Sequence, residues 1–489
     1  MSDFTPFYKT IVRILAHDVA FDWSMPFQRA KANKSTGSGF FVDKKGHILT
    51  CAHVVANAAH VFVEVPTEGD RKYTAVVLGI CPFFDLAVLR VEGYKNKEYC
   101  RLDTGRIKIA PGMETFALGY PMGMTHLKVS KGIISGQQYN FYQTDTAINP
   151  GNSGGPLVYR GKVIGVNAAG IAAWAADGIG YAVPIVRYHT VREQLMRSVK
   201  HIVHYPQFFG FEDFQVTSQD FQKYLGNKCD SGGVYIKKVL PGSPVSRTAL
   251  KRTDVVCSVN GLAVDYYGKL RKKWMNVQMS MDNMLAEIGI DNPVKIRYWN
   301  GAKMCEEGFK LTTYAPHVRI MYPAFEDVPF DVFGGLVVMN LCVNIIMTLD
   351  RADLIEYMKP KNVMCKRLIV ANILVGSYLS TLDILKPGDI ITTVNDAKVH
   401  SVQEFRKRIV KPIDGQYVKI GTEDGKLVVL PVQRILEDEA HLIREFMYTE
   451  SSSVQKLRKT SGIKISSETP KGRRKTSTGG HYEPPHVTL

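Results

Sequence analysis

The chain has 489 residues, of which 45% are hydrophobic and 22% are charged. This balance is typical of a soluble globular protein with about three domains, each able to bury a core. The formal net charge is +16, and part of it lies in residues 450–489, a segment rich in Ser, Thr, Gly and Lys. Because this segment has too little apolar surface for a core, we predict a disordered basic tail. Its charge would attract polyanions or nucleic acid.

The spacing of the cysteines and the length of the apolar runs exclude further classes of protein. The eight cysteines are spread over the chain without a CxxC pair, so we predict neither a metal site nor a disulfide scaffold. No GxxxxGK[ST] loop is present, and we expect no cofactor. The first residues lack the pattern of a signal or transit peptide, so we expect reduced thiols in the cytoplasm or nucleus. Residues 333–349 are apolar but short for a bilayer, which indicates a pair of buried strands rather than a membrane span.

The first two hundred residues contain short apolar runs rich in Val, Ile, Phe and Tyr, separated by Gly, Pro, Asn and Asp. This pattern predicts an all-β barrel or sandwich. Three polar residues stand where such strands end: His53 in LTCAHVV, Asp85 in FFDLAVL and Ser153 in NPGNSGGPLV. Each alone is an ordinary polar or turn residue. Together, in the order His, Asp, Ser, they have the chain order of a chymotrypsin-type catalytic triad.

Three segments resemble the catalytic segments of the HtrA/Deg family of trypsin-fold serine proteases: GSGFFVDKKGHILTCAHVV, DLAVLRV and TDTAINPGNSGGPLV. The segment GIGYAVPI resembles the strand that closes that protease domain, and residues 22–40 are most similar to the plant-type Deg branch. The resemblance covers the chain except its tail. It implies a mainly β fold in which residues 1–200 form a trypsin-like double β-barrel protease domain with a linker helix.

The resemblance also implies roles for the residues of the site. Ser153 would attack the peptide carbonyl, His53 would take its proton, and Asp85 would hold the imidazole tautomer. The N–H groups of Gly151 and Ser153 would form the oxyanion hole, since a side chain at Gly151 would clash with substrate or forbid the required backbone angle.

The substrate pocket would lie between the segment before the serine and the strand after it. Its residues would be Ile148, Asn149, Val166, Asn167 and Ala168. None of them is acidic, so the pocket lacks the group that would bind Lys or Arg. We therefore expect cleavage after small aliphatic residues.

Two later regions, residues 205–315 and 325–435, are weak repeats of each other and resemble the PDZ domains of the same family. In each, a Gly–aromatic loop would bind the terminal carboxylate of a peptide that adds a strand to the sheet edge. The residues implied for this are Phe209, Gly210, Phe211, Gly334 and Gly335. The first region has Thr253 at a usual glycine position, and the second begins with a double glycine. Either groove could therefore be closed or used for subunit contacts.

The function implied is that of an ATP-independent serine endopeptidase acting on unfolded or damaged proteins. The alternative is a PDZ scaffold or chaperone whose protease domain is latent or inactive. A nucleic-acid-binding protein is a third reading, but no aromatic–basic module supports it. Family members form trimers or larger cages through aromatic residues near the start of the protease domain. Phe4, Phe7, Tyr8, Phe21 and Trp23 are concentrated there, so we expect a homotrimer or a multiple of three.

Overall fold

The computed structural model describes residues 4–28, 32–138, 141–168, 179–206, 209–210, 214–271 and 278–461. The chain is mainly β and consists of two closed barrels followed by two smaller sheet domains. Within the described ranges, no helix combines the length and the apolar character that crossing a bilayer requires.

Six strands close the first barrel in the order β5-β4-β1-β2-β3-β6, and β6 pairs back to β5. Their bounds are β1 (Ile11–Val19), β2 (Ala32–Phe41), β3 (His47–Thr50), β4 (Ala58–Glu64), β5 (Lys72–Cys81) and β6 (Leu86–Val91). The short helix α1 (Ala52–Val55) directly follows β3. All these pairings are antiparallel, and closure leaves the barrel without an open edge.

Six more strands close the second barrel in the order β10-β11-β12-β9-β8-β7. They are β7 (Glu114–Gly119), β8 (Lys128–Gln138), β9 (Phe141–Thr144), β10 (Pro156–Tyr159), β11 (Lys162–Asn167) and β12 (Gly180–Pro184), followed by helix α2 (Ile185–Leu195) and strand β13 (His201–Ile202). Helix α2 packs on β5 and β11, and β13 pairs with β5. The helix predicted as a linker therefore packs on strands of both barrels, and β13 extends the sheet of the first barrel.

The first PDZ-like domain is a sheet in the order β14-β15-β16-β20-β21. Its elements are β14 (Phe214–Gln215), α3 (Gln219–Tyr224), β15 (Val234–Ile236), β16 (Val255–Val259), β17 (Leu262–Ala263), β18 (Lys269–Leu270), β19 (Met279–Ser280), α4 (Met281–Leu285), β20 (Pro293–Trp299) and β21 (Met304–Lys310). Its core is continuous with that of the first barrel. Tyr205, whose hydroxyl donates to the Leu285 carbonyl at 2.7 Å, stacks on Phe83 across this junction.

The second PDZ-like domain is a sheet in the order β22-β23-β24-β25-β27-β28. Its elements are β22 (Phe330–Phe333), β23 (Leu336–Asn340), α5 (Val343–Leu349), α6 (Pro360–Val363), β24 (Leu368–Ile373), α7 (Tyr378–Leu382), β25 (Ile390–Val394), β26 (Ala397–Lys398), α8 (Val402–Ile409), β27 (Tyr417–Thr422), β28 (Leu427–Pro431), α9 (Val432–Phe446) and α10 (Ser452–Ser461). The apolar run at 333–349 is thus one strand and one helix. The predicted strand pair is wrong because the chain turns after Asn340.

The predicted tail also requires a correction at its start. Residues 452–461 form helix α10, whose Val454 and Leu457 are fully buried in the core of the second PDZ-like domain. These two apolar side chains are three residues apart and so share one helix face, which the overall composition of the segment concealed. Residues 462–489 lie outside the described part of the chain.

Aromatic residues near the start of the chain, expected at a trimer contact, pack within the chain. Phe4 contacts Phe116 of the second barrel with ring centroids 4.9 Å apart, and Phe7 is buried. Phe21 and Trp23 pack against a core cluster of the second PDZ-like domain. Of the five, Tyr8 is the most exposed, at 47%. Trimeric assembly stays a prediction.

Candidate active site

His53 and Asp85 are brought together by the pairing of two strands in the first barrel. Strand β3 precedes α1, which carries His53, and it pairs with β6, which begins directly after Asp85. The Nδ1 atom of His53 lies 2.7 Å from Oδ2 of Asp85, and the His53 backbone N–H donates to Oδ1 at 2.9 Å. With Nδ1–H donating to this carboxylate, Nε2 is left as the proton-accepting nitrogen.

Ser153 lies in the second barrel, in the turn before β10, and is 5% exposed. Its carbonyl accepts a hydrogen bond of 2.8 Å from the N–H of Ser38 in β2 of the first barrel. The serine therefore lies at the junction of the two barrels, against the barrel that carries His53 and Asp85. The sequence separates His53 from Ser153 by 100 positions, and the fold places Ser153 against the barrel that carries the His53–Asp85 pair.

The backbone at Gly151 is set by contacts on both sides. Gly151 has φ +96°, and a Cβ there would lie 2.5 Å from the Tyr120 carbonyl oxygen. The Met122 N–H donates to the Pro150 carbonyl at 2.7 Å. Because a trans peptide is planar, the Gly151 N–H of the same peptide points away from Met122. Among the described residues no acceptor binds that N–H, which leaves it available to a ligand oxygen.

Two hydroxyl groups that the sequence analysis did not single out hold this loop. The Ser38 hydroxyl donates to the Gly151 carbonyl at 2.7 Å and accepts from the Tyr120 N–H at 2.9 Å. The Thr50 hydroxyl donates to the Ser38 carbonyl at 2.8 Å. A Cβ on Gly154 would lie 2.1 Å from the oxygen of this hydroxyl. The sequence GSGF indicates this role of Ser38, because a small polar residue between two glycines permits close contact between backbones.

Cys51 adjoins the His53–Asp85 pair. Its thiol is fully buried and donates to the Asn167 carbonyl at 3.1 Å. In the part of the chain that the structure describes, Cys51, His53 and Asp85 are the one group of three side chains close enough to share a metal ion. Burial, with a smaller effect of Asp85, raises the pKa of Cys51 well above its usual value. The thiolate that a metal would need is therefore disfavoured, and the chemistry of this site is that of the His–Asp pair.

The comparisons with known proteins agree with this geometry. Residues 37–166 match the family model of the trypsin-like peptidase domain. The chain is 28% identical over 404 residues to the "Probable periplasmic serine endoprotease DegP-like" of Chlamydia muridarum, covering 80% of this chain and 73% of that protein. It is 33% identical over 250 residues to the "Periplasmic serine endoprotease DegP" of Salmonella typhimurium, covering 48% of this chain and 50% of that protein.

The chain belongs to the HtrA/Deg family of trypsin-fold serine proteases. A solved structure titled "HtrA-type protease AlgW with decapeptide" is similar, with a TM-score of 0.47 and 25% identity over 63% of this chain and 97% of that one.

The predicted cytoplasmic or nuclear location is wrong for this HtrA/Deg chain, because the relatives above are named periplasmic proteases. The prediction of reduced thiols needs a matching correction, since Cys229 and Cys257 form a disulfide. The two cysteines are 28 residues apart in sequence. Their pairing depends on how β16 packs against the loop before β15, which spacing alone does not reveal.

The predicted substrate-pocket residues lie close to Ser153 along the second barrel. Val166, Asn167 and Ala168 are almost fully buried, and the Asn167 carbonyl accepts from the Gly154 N–H at 2.8 Å. Ile148 is half-buried and packs with the apolar cluster of the second barrel, whereas Asn149 is exposed. Residues 169–178, which follow this strand, lie outside the described residues.

In the first PDZ-like domain of this HtrA/Deg chain, the predicted loop precedes an edge strand. Gly210 has φ +112°, and a Cβ there would lie 2.1 Å from Oγ of Ser243. Phe209 is buried, with its ring 6.5 Å from that of Phe309, so its side chain belongs to the core. Phe211 lies outside the described residues. The next strand, β14, ends its sheet, so a peptide could add to it.

In the second PDZ-like domain the structure contradicts an open carboxylate site at Gly334 and Gly335. The N–H of Gly334 donates to Oε2 of the chain's own Glu439 at 3.0 Å. A Cβ on Gly334 would lie 2.8 Å from Ile435, and one on Gly335 would lie 2.3 Å from Ser377. The following strand, β23, is paired on both sides, by β22 and β24. No strand edge is left there for a peptide.

Glu439 is fully buried in helix α9 and also accepts from the Tyr448 hydroxyl at 2.9 Å. Burial raises its pKa to about 7, and the two hydrogen bonds only partly oppose this effect. An internal carboxylate thus takes the position that the resemblance assigned to a peptide terminus.

Proposed function

We propose that this serine endopeptidase cleaves unfolded or damaged proteins with Ser153 as nucleophile, His53 as general base and Asp85 as the residue that orients His53. The observation that carries the proposal is the 2.7 Å contact between His53 Nδ1 and Asp85 Oδ2 beside the Ser153 loop. A serine hydroxyl is a weak nucleophile and needs such an oriented base.

The reaction proceeds in two stages. His53 Nε2 takes the proton of the Ser153 hydroxyl as its oxygen bonds to the substrate carbonyl carbon, and it then gives that proton to the leaving amine. Water, deprotonated by His53, next attacks the carbonyl carbon of the acyl-enzyme, and His53 then gives that proton to Ser153 Oγ as the acyl bond breaks. In both stages the charge on the carbonyl oxygen would be stabilised by the N–H groups of Gly151 and Ser153. The Met122 contact to Pro150 supports this role because it aims the Gly151 N–H.

We also propose that cleavage follows small aliphatic residues. Val166 and Ala168 beside the site carry neither charge nor hydrogen-bonding side chains, so a Lys or Arg side chain of the substrate would lose water there without a partner. Cleavage of peptides that differ at this one residue measures the preference, and a Lys or Arg preference would contradict it.

The names of the relatives and the disulfide favour an oxidising compartment outside the cytoplasm. Trimeric assembly and capture of peptide C-termini at the Gly210 loop complete the proposal. Light scattering over a wide concentration range tests the assembly, and a strictly monomeric mass would contradict it. Fluorescence anisotropy of a labelled peptide, with a free or an amidated C-terminus, tests the capture.

Labelling by a fluorophosphonate, which reacts only with an activated serine, tests the nucleophile. We expect the wild type to be labelled and Ser153→Ala to lose both labelling and casein cleavage. Ser135→Ala, at an exposed serine of β8 in the same barrel, is the matched control and should retain both. Labelling that survives in Ser153→Ala would contradict the assignment. A folded wild type that resists labelling would favour the latent scaffold.

A further inference from the structure

A cleft of about 660 Å³ lies between helices α8 and α10 of the second PDZ-like domain. Its volume is within the range of small-molecule sites, about 300–1,000 Å³. Six of its ten lining residues are basic: Lys398, Arg406, Lys407, Arg408, Lys411 and Lys456. They come from β26, α8, the loop after α8 and α10, so the folded chain gathers charge from separate segments.

Most of this charge has no counter-ion within the described residues. Arg406 pairs with buried Asp331, with Nε 2.8 Å from Oδ2. Glu404, the one acidic residue of the lining, accepts from the His400 N–H at 2.6 Å and so caps the start of α8. The other five basic side chains form no ion pair with any described residue: Lys398, Lys407, Arg408, Lys411 and Lys456. Like charges held this close repel one another, and an anion would relieve that repulsion.

The start of α10 adds hydrogen-bond donors to the same cleft. This ten-residue helix begins at Ser452, and both Ser452 and Ser453 line the cleft. The Ser451 hydroxyl already accepts from the Val454 N–H at 3.3 Å, so the N–H groups of Ser452 and Ser453 are the donors that this helix start would offer to an anion. Ser453 is 6% exposed, and its hydroxyl has no hydrogen-bond partner among the described residues. A hydroxyl on the wall of the cleft can donate a hydrogen bond to a ligand oxygen.

The end of α8 would by itself repel an anion, because its last carbonyls are partly negative. Asn395 covers them: its Nδ2 donates to the carbonyls of Arg408 and Lys411 at 3.0 Å and 2.8 Å. Basic residues in the last turn of a helix are common for the same electrostatic reason, which could account for Arg408. It does not account for Lys398 and Lys456, which lie on other elements.

We propose that this cleft binds a compact molecule that carries several phosphate groups, such as an inositol polyphosphate or the phosphorylated headgroup of an inositol lipid. Lysine and arginine side chains, a helix N-terminus and a hydroxyl donor are the groups that bind phosphate oxygens. No aromatic side chain is among the described residues that line the cleft, and these residues therefore offer no platform on which single-stranded nucleic acid could stack its bases.

Titration of inositol hexakisphosphate into the full chain, by calorimetry at two salt concentrations, tests the proposal. We expect one site per chain whose affinity falls with added salt. Lys456→Glu should weaken binding by about tenfold or more, the loss that one charge-assisted phosphate contact implies. Lys459→Glu makes the same change of charge on α10 outside the lining, and should weaken binding about twofold or less. Ser453→Ala should weaken it about threefold.

Equal losses in Lys456→Glu and Lys459→Glu would overturn the proposal, because they would mean attraction to the whole basic chain. Circular dichroism checks that Lys456→Glu is folded, and Lys411→Gln replaces it otherwise. Vesicles with phosphatidylinositol bisphosphate distinguish a lipid headgroup from a soluble inositol polyphosphate as the ligand. Vesicle binding that inositol hexakisphosphate displaces supports a lipid headgroup. A chain that binds inositol hexakisphosphate but not the vesicles supports a soluble phosphate. Tighter binding of single-stranded DNA, insensitive to Lys456→Glu, would overturn the proposal.

Discussion

The loop at Gly151 in the second barrel and the loop at Gly334 in the second PDZ-like domain both hold glycine at positive φ, +96° and +54°. At Gly151 a neighbouring N–H binds the preceding carbonyl, and the glycine N–H is directed away from it. At Gly334 the glycine N–H already binds Glu439. The comparison teaches that a glycine loop presents donors to a ligand only when the surrounding fold leaves them without an internal acceptor.

The largest effect should come from Gly151→Ala. The Cβ would lie 2.5 Å from the Tyr120 carbonyl and 2.6 Å from the Met122 nitrogen, so the loop must move and the Gly151 N–H must turn. We expect kcat/KM for a peptide substrate to fall by roughly 10²–10³-fold, the cost of losing one oxyanion donor. Gly136→Ala, in β8 with open space around it, is the control and should keep its activity. An active Gly151→Ala would show that this N–H does not serve the reaction.

The next effect concerns Glu439. Its pKa is raised from an ordinary 4.5 to about 7 in the folded chain, so the folded state holds the proton more tightly than the unfolded state. The stability that this proton provides is complete below about pH 4.5 and is lost as the pH rises through about 7, a change of roughly 3 kcal/mol.

Glu439→Gln should remove this pH dependence. Hydrogen exchange of the second PDZ-like domain at several pH values measures it, with rates corrected for their intrinsic pH dependence. Glu437→Gln, at a partly exposed carboxylate of the same helix, should keep the wild-type profile. If Glu439→Gln keeps that profile as well, Glu439 is not the source of the pH dependence.

A smaller effect should come from Thr253, which has φ +81°. The corresponding Gly388 of the second PDZ-like domain has φ +98°. A β-branched residue in this region is strained, so Thr253→Gly should stabilise the first PDZ-like domain by about 1 kcal/mol. Denaturant unfolding followed by hydrogen exchange in that domain measures the gain. The reverse change, Gly388→Thr, should destabilise its own domain, and a neutral result for both variants would show that the backbone relaxes.

The smallest effect should follow removal of residues 462–489. These residues come after α10, whose buried face completes the core of the second PDZ-like domain. A chain that ends at Ser461 should therefore cleave peptides at the wild-type rate and bind polyanions with a weaker dependence on salt. A loss of cleavage would show that the segment reaches the protease domain.

Much of the fold and the site was predictable where the signal is local. The alternating apolar runs predicted the barrels, and the motifs around His53 and Asp85 predicted a pair that the pairing of β3 with β6 brings into contact. The helix α10 was missed because its burial depends on partners in α8 and α9, and two apolar residues in a polar segment carry little signal. The pairing of Cys229 with Cys257 was missed because it too depends on tertiary packing, here of β16 against the loop before β15.

The sequence by itself determined the order of the elements, the turn glycines and the residue types of the site, because these follow from backbone sterics and from side-chain chemistry at neighbouring positions. The tertiary structure alone decided which donors are free. The Met122–Pro150 and Glu439–Gly334 hydrogen bonds join residues 28 and 105 positions apart. Whether such groups meet depends on the packing of whole elements, since a hydrogen bond forms only within about 3 Å.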